Sequence, residues 1–404
     1  MRRCSSAETI VSFFAFLLYL LMPLEGYAQS AEKVITTLTD MGFENVGWTE
    51  DQKERVYVLQ NTAFRANGVG LGKAVDIIQK GGLPDNKCCR IVVLDNNIPQ
   101  ISIFYHPEKK DSVSNISRVD WTVGYDIGDT WKRVKETKNS SLFKVDVVVY
   151  PDFSFQNLII TQIYQVLFNI SPAIEVSFWK GMKLTGQVIF PVYNEYGKRY
   201  SQIREGYITL SQTFRLPYNI FLKGIIGTFN NRRWGVDLSA KHYLLADNRF
   251  SIEAETGYTG ASRFENFAWH VSPLKWWTWT LGGNFYWPKY NTSFSLKMEQ
   301  YLLGEKGVRV DMMRTFRYAA IGFYAMKAEH APKNGGFYFQ ILLPPYGKYK
   351  RKYVRITPAK YFGILYNGGN EQYYGKSYIP ELSTVYGYES NFNPYFIKSE
   401  LLNY

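Results

Sequence analysis

Residues 233–260 read RWGVDLSAKHYLLADNRFSIEAETGYTG, and the fold class follows from how this stretch alternates. Trp234, Val236, Leu238, Ala240, His242 and Leu244 share one parity; Arg233, Gly235, Asp237, Ser239, Lys241 and Tyr243 share the other. After 246–248 the alternation resumes, with Phe250, Ile252, Ala254 and Tyr258 opposed to Ser251, Glu253 and Glu255. Successive side chains of a strand point to opposite faces, so the stretch is a hairpin with one apolar and one charged face. A loop of 246–248, with Asn248 in the left-handed position, pairs Leu244 with Phe250 and sets Lys241 opposite Glu253.

The same texture extends outward from this hairpin. Alternating segments of roughly ten residues recur from residue 118 onward, the pattern of an outer-membrane barrel. Strands are predicted at 118–131, 142–150, 157–168, 172–179, 183–193, 204–216, 220–229, 233–245, 249–258, 274–286, 291–302, 307–316, 318–328 and 335–343. The expected fold is mostly β, a single antiparallel transmembrane barrel of about 12 to 14 strands preceded by a small periplasmic α/β module. Lipid-facing candidates are Ile208, Leu210 and Phe214; Phe294, Leu296 and Met298; and Val308, Val310 and Met312. Charge on the opposite parity is tolerable only against water, which makes Asp237, Lys241, Glu253, Glu255, Lys297, Glu299, Arg309 and Asp311 the candidates for a polar lumen. Short connections at 180–181, 217–219, 246–248 and 288–290 alternate with longer ones at 194–203 and 259–273, although 230–232 and 303–306 are also short. Short turns belong to the periplasmic rim, which places the module there. Trp276, Trp277, Trp279, Tyr286 and Trp287 suit an interfacial girdle, with sugar stacking as the other reading. A soluble β-sandwich or β-helix is the competing architecture.

The start of the chain has a different texture. Residues 1–28 carry Arg2 and Arg3, an apolar run from Ile10 to Met22, and Gly26-Tyr27-Ala28, which reads as a secretory signal peptide. Later windows hold no long apolar run and the mean hydropathy is -0.24, so membrane insertion would have to use strands. Residues 29–110 form the α/β module, in the order helix, two strands, helix, two strands, and 111–404 the barrel with a Tyr/Gly-rich C-terminal region. Residues 29–110 hold ten Lys/Arg and ten Asp/Glu, and 1–28 are also balanced, so the formal charge of +12 belongs to 111–404. A basic second region favours an acidic polymer or lipid headgroups, or is simply solvated. Three cysteines provide no disulfide framework, and the adjacent Cys88 and Cys89 read as strand residues.

Chemistry is sparse. Gly68-Val69-Gly70-Leu71-Gly72-Lys73 imitates a phosphate loop, but Asn67 stands where Gly is needed and Ala74 where Ser or Thr is needed. His106, His242, His270 and His330 show no zinc spacing with the cysteines. His242 falls on the apolar face, leaving His270 and His330, read as loop residues, for a Ser-His hydrolase. Glu253 and Glu255 resemble a glycosidase carboxylate pair, but Lys241 should neutralise Glu253 across the hairpin. No catalytic, metal or cofactor set is expected.

Several segments are similar to the YjbH-like outer-membrane exopolysaccharide biosynthesis proteins. They are VYVLQNTAFRANGVGLGKAVDII at 56–78, PDFSFQN at 151–157, FWKGMKLTGQVIFPVYNEY at 178–196, the opening hairpin from Phe229, and GEKGVRVDMMRTFRYAAIGFYA at 304–325. The resemblance implies an outer-membrane barrel of a Gram-negative bacterium that takes part in making, secreting or assembling an extracellular polysaccharide. It brings no catalytic residues. The expectation is thus a non-enzymatic protein whose partners are outer-membrane lipid, an acidic extracellular polysaccharide and periplasmic export components, with no nucleic acid. A general porin or solute transporter, or a barrel enzyme acting on glycan or lipid, are the alternatives.

Overall fold

A computed structural model describes residues 30–84, 86–107, 117–157, 164–265, 268–368, 376–382 and 392–403. The signal-peptide expectation at 1–28 lies outside the described residues. Among those described, no helix is long and apolar enough to cross a membrane.

The α/β module begins with α1 (30–41), whose Val34, Ile35 and Leu38 are buried at helical spacing. The helix stops at Gly42, which adopts φ +101. Strands β1 (Glu44–Glu50) and β2 (Glu54–Gln60) pair antiparallel; α2 (Asn67–Gly81) then crosses over to β3 (Cys88–Asp95), which lies parallel to β2. β4 (Ile98–Tyr105) and β5 (Trp121–Gly124) complete the sheet in the order β1-β2-β3-β4-β5. One face buries Tyr57, Leu59, Ile91, Val93, Ile101 and Ile103 against the helices. Each such burial stabilises by about 1.5–3 kcal/mol. The other buries Val56, Val58, Val92 and Leu94 under Ile127, Trp131 and Val134.

Two sequence expectations change here. Residues 118–131 are not a barrel strand: Trp121 is fully buried in the module core, so β5 closes the small sheet and the module passes the expected limit at 110. The last part of the Tyr/Gly-rich C-terminal region, expected with the barrel, packs on the module as well. It forms α3 (Pro394–Leu402), started by Asn393, whose side chain accepts from the Tyr395 and Phe396 amides, and buries Ile397 and Leu401 in the module. The phosphate-loop look-alike explains itself by this packing, because a Cβ on Gly68 would collide with Glu400 of α3.

The second sheet has fifteen strands. Its antiparallel path is β6 (Val145–Asn157), β7 (Tyr164–Trp179), β8 (Met182–Asn194), β9 (Arg204–Leu216), β10 (Ile220–Phe229), β11 (Arg233–Tyr243) and β12 (Phe250–Glu265). After the short β13 (Ala268–Val271), which extends β12 as a hairpin, it continues through β14 (Trp276–Trp287), β15 (Thr292–Gln300), β16 (Lys306–Thr315), β17 (Ala319–Ala328) and β18 (Asn334–Leu342). β19 (Val354–Pro358) pairs parallel with β6, and β20 (Tyr361–Asn367) pairs with β18. Phe155 of β6 stacks on Tyr366 of β20 with ring centroids 5.9 Å apart, so the two ends of the path approach through side chains.

The predicted strands 157–168 and 172–179 merge into β7; 158–163 lie outside the described residues. Pro172 lies inside this strand, registered against Val149 of β6. The expected loop at 259–273 is mostly the β12–β13 hairpin.

The sheet inverts the polarity of the module. On β16 exposure alternates residue by residue, with Val308, Val310 and Met312 outward and Arg309 and Asp311 turned in. Leu238, Ile252, Leu281 and Met298 are each 54% exposed, whereas Asp237 is 2% exposed.

The module docks at one rim. The turns 180–181, 217–219, 246–248 and 288–290 all lie there: Gly181 N donates to Asn96 O at 2.8 Å, Arg215 donates to Pro99 and Gln100 carbonyls, Tyr243 stacks on Tyr125 at 4.0 Å, and Asn291 donates to Ser399. The contact is locked by a buried ion network. Glu44, fully buried, accepts from Lys144 at 2.9 Å and from Arg351 at 2.5 Å, and Asp146 of β6 accepts from Arg351 at 2.8 Å and Arg355 at 2.9 Å.

Candidate functional site in the sheet interior

The opening hairpin sets one wall of the site. β11 and β12 pair Lys241 with Glu253 in register, and Leu244 N donates to Phe250 O at 3.0 Å, closing the loop at 246–248. Asn248 is not among the residues in the left-handed region, so the turn does not use the conformation expected of it. Lys241 Nζ lies 3.6 Å from Glu253, and Lys297 of β15 reaches the same carboxylate at 2.8 Å. Room for Glu253 comes from Gly282 on the adjoining strand, where a Cβ would stand 2.8 Å from the Glu253 Cγ.

The remaining candidates share this interior face without forming one cluster. Arg309 pairs with Asp311 at 2.7 Å and lies 4.4 Å from the Tyr324 ring. Glu299 is registered against Thr280 and Gly307, half-buried. Glu255 lies within hydrogen-bonding reach of Asp237, which accepts from the Tyr378 hydroxyl at 2.7 Å. Of the histidines, His242 sits on β11 opposite Ile252; His270 belongs to β13 rather than to a loop, and His330 is a left-handed residue. Neither of the last two is brought to the interior carboxylates.

A second group was missed by the sequence reading. Tyr150 of β6 donates to Glu175 of β7 at 2.5 Å; Glu175 lies 3.7 Å from Lys183 of β8; and Glu381 bridges Lys183, at 3.3 Å, to Lys223 of β10. Lys183 and Lys223 have the same inward parity as Lys241, so scoring charge on every strand would have found them. Nothing local would have found Glu381. It belongs to 376–382, a segment that enters from the rim opposite the module. Leu302 N donates to Lys376 O at 2.9 Å, Asn231 donates to Ser377 O at 2.7 Å, and Ile379 N donates to Asn230 at 2.6 Å. Tyr378 then stacks on Phe229 with centroids 5.3 Å apart and an interplanar angle of 11°, above a gap provided by Gly257. The next described residues, 392–403, carry α3 on the module side.

No protein-family model and no curated protein matches the chain. Solved structures with some likeness include OmpTdeltaL8, a loop L8 deletion mutant of OmpT, an outer membrane protein of Vibrio cholerae, at 9% identity over 47% of this chain and 86% of that one, with a TM-score of 0.25. In-vitro folded OmpT of Vibrio cholerae is 7% identical over 54% of this chain and 94% of that one, with a TM-score of 0.27. Likeness at this level transfers no activity. The expectation of a non-enzymatic chain is nevertheless corrected, on the site itself: the reading of the interior carboxylates as neutralised struts holds for Glu253, which the described ion pairs engage, and does not extend to Glu255, which sits beside Asp237.

Proposed function

We propose that the chain is an outer-membrane β-barrel that takes part in secreting or assembling an extracellular polysaccharide, with its α/β module at the periplasmic rim. The observation that carries the membrane reading is the inverted polarity of the large sheet. A band of Leu, Ile, Phe and Met exposed outward around ionised interior pairs is stable against lipid and costly against water. The approach of β6 to β20 supports closure of the sheet on itself. The polysaccharide role is supported by the family resemblance of the five segments and by the basic charge of 111–404. An unobstructed porin fits less well, because 376–382 occupy the interior. The module offers a surface for export components, and outer-membrane lipid surrounds the strands.

The test has two parts. Native extracts should show the protein in the outer-membrane fraction with heat-modifiable gel mobility, as a folded barrel gives. Cells lacking it should lose surface polymer, and full-length protein should restore it. Fractionation with the soluble periplasm, or undiminished polymer in the null strain, would end this reading.

A further inference from the structure

The segment 376–382 is joined to its surroundings by scattered hydrogen bonds, ion pairs and a ring contact, not by a strand ladder, and the interior groups it satisfies have a common chemistry. Phe229, itself buried, offers an aromatic face, which the Tyr378 ring covers nearly parallel. Asp237 accepts a hydrogen bond from the Tyr378 hydroxyl at 2.7 Å, and the Thr278 hydroxyl stands 3.3 Å from that tyrosine oxygen. Three residues along, a carboxylate is held between two ammonium groups, those of Lys183 and Lys223. A flat face, a hydroxyl donor and a carboxylate are what one sugar acid presents.

We infer that this strip is a binding site for an acidic saccharide, a uronate-bearing glycan, and that 376–382 are its built-in occupant, displaced when the saccharide binds. The inference rests on the export reading above and names the substrate class of the same interior. The alternatives fit the charges less well. A phosphate would satisfy the lysines but bring no ring to cover Phe229, while a neutral sugar would leave both ammonium groups without the anion they now hold. A uronate replaces the Glu381 carboxylate charge for charge, leaving Glu175 and the more distant Asp95 of β3 to balance Lys183 as they do now. Its ring replaces the Tyr378 ring on Phe229, and its hydroxyls donate to Asp237. An internal occupant lowers apparent affinity by the fraction of time it is seated, so emptying the strip should tighten binding.

Removing the Tyr378 ring empties the aromatic position without touching a charge. Purified full-length protein, Tyr378→Ala and Glu381→Gln would be titrated with trigalacturonate and, separately, with maltotriose by calorimetry, after heat-modifiable mobility has confirmed that each variant is folded. Both variants should bind trigalacturonate roughly tenfold more tightly than the native chain if the native strip is open about a tenth of the time. Adding Lys183→Gln and Lys223→Gln to Tyr378→Ala should abolish that binding, and maltotriose should not bind. Equal affinity in the native chain and both variants, equal binding of the two trisaccharides, or binding that survives loss of both lysines would overturn the inference. The readout is independent of polymer export. Lysine-dependent trigalacturonate binding by a protein whose null strain keeps its polymer would uphold the site while removing the export reading.

Discussion

The module and the large sheet obey the same alternation rule with opposite sign. In the module, Ile91 and Ile103 point in and are fully buried; in the sheet, Leu238 and Leu281 point out and Asp237 points in. The difference lies in the solvent each surface is built to meet, since a strand only specifies that its two faces differ. Where the two regions meet, neither rule holds alone. The joint is made of Glu44, Lys144, Arg351, Asp146 and Arg355, charges withdrawn from water in which two carboxylates are shared among three cations.

The strongest way to break this contrast is at the joint. Glu44→Ala leaves Lys144 and Arg351 buried without their shared carboxylate, a loss of about 3–5 kcal/mol. Limited proteolysis should then cut the module while the heat-modifiable barrel band persists; a module as resistant as the native one would count against the lock. The next effect tests the outward face. Leu238→Arg should destabilise the barrel by about 2–4 kcal/mol in bilayer refolding titrations if that residue lies near the bilayer midplane, whereas a water-facing position would tolerate it. A smaller effect sharpens the view of the interior. Lys241→Met should cost no more than about 1 kcal/mol, because Lys297 still reaches Glu253 at 2.8 Å, and Lys297→Met should cost more than Lys241→Met.

The gentlest probe is acid, and it acts on the module. Burial alone would raise the Glu50 carboxyl, but hydrogen bonds and charge from Lys87 and Arg55 outweigh burial and hold it below its ordinary value of 4.5. A carboxyl with a depressed folded-state pKa contributes stability that is present above its unfolded value and lost as pH falls through the folded one. Module stability followed by circular dichroism should therefore decline below about pH 4.5, and Glu50→Gln should flatten that decline. Identical acid profiles for the two proteins would remove Glu50 from the account.

Much of this was legible one strand at a time. Lys241 opposite Glu253 follows from period-2 parity and a short loop, and the module-side turns follow from connection length. The predicted strands from 183 to 343 fall on observed ones for the same reason. The failures have a common cause as well. Trp121 reads as one more aromatic in an alternating stretch, and only its burial in the module core shows which sheet owns it. Residues 169–171 read as a connection between two strands until their pairing with β6 is known.

The sequence by itself determined which faces differ, where the chain turns, and which charges share the interior parity, because these depend on backbone periodicity and local turn chemistry. Only the tertiary structure decided what fills that interior and what joins its two parts. Tyr378 meets Asp237 across 141 positions, and Arg351 meets Glu44 across 307. Such contacts leave no local pattern, since each depends on which distant segments the fold brings together rather than on either residue's neighbours.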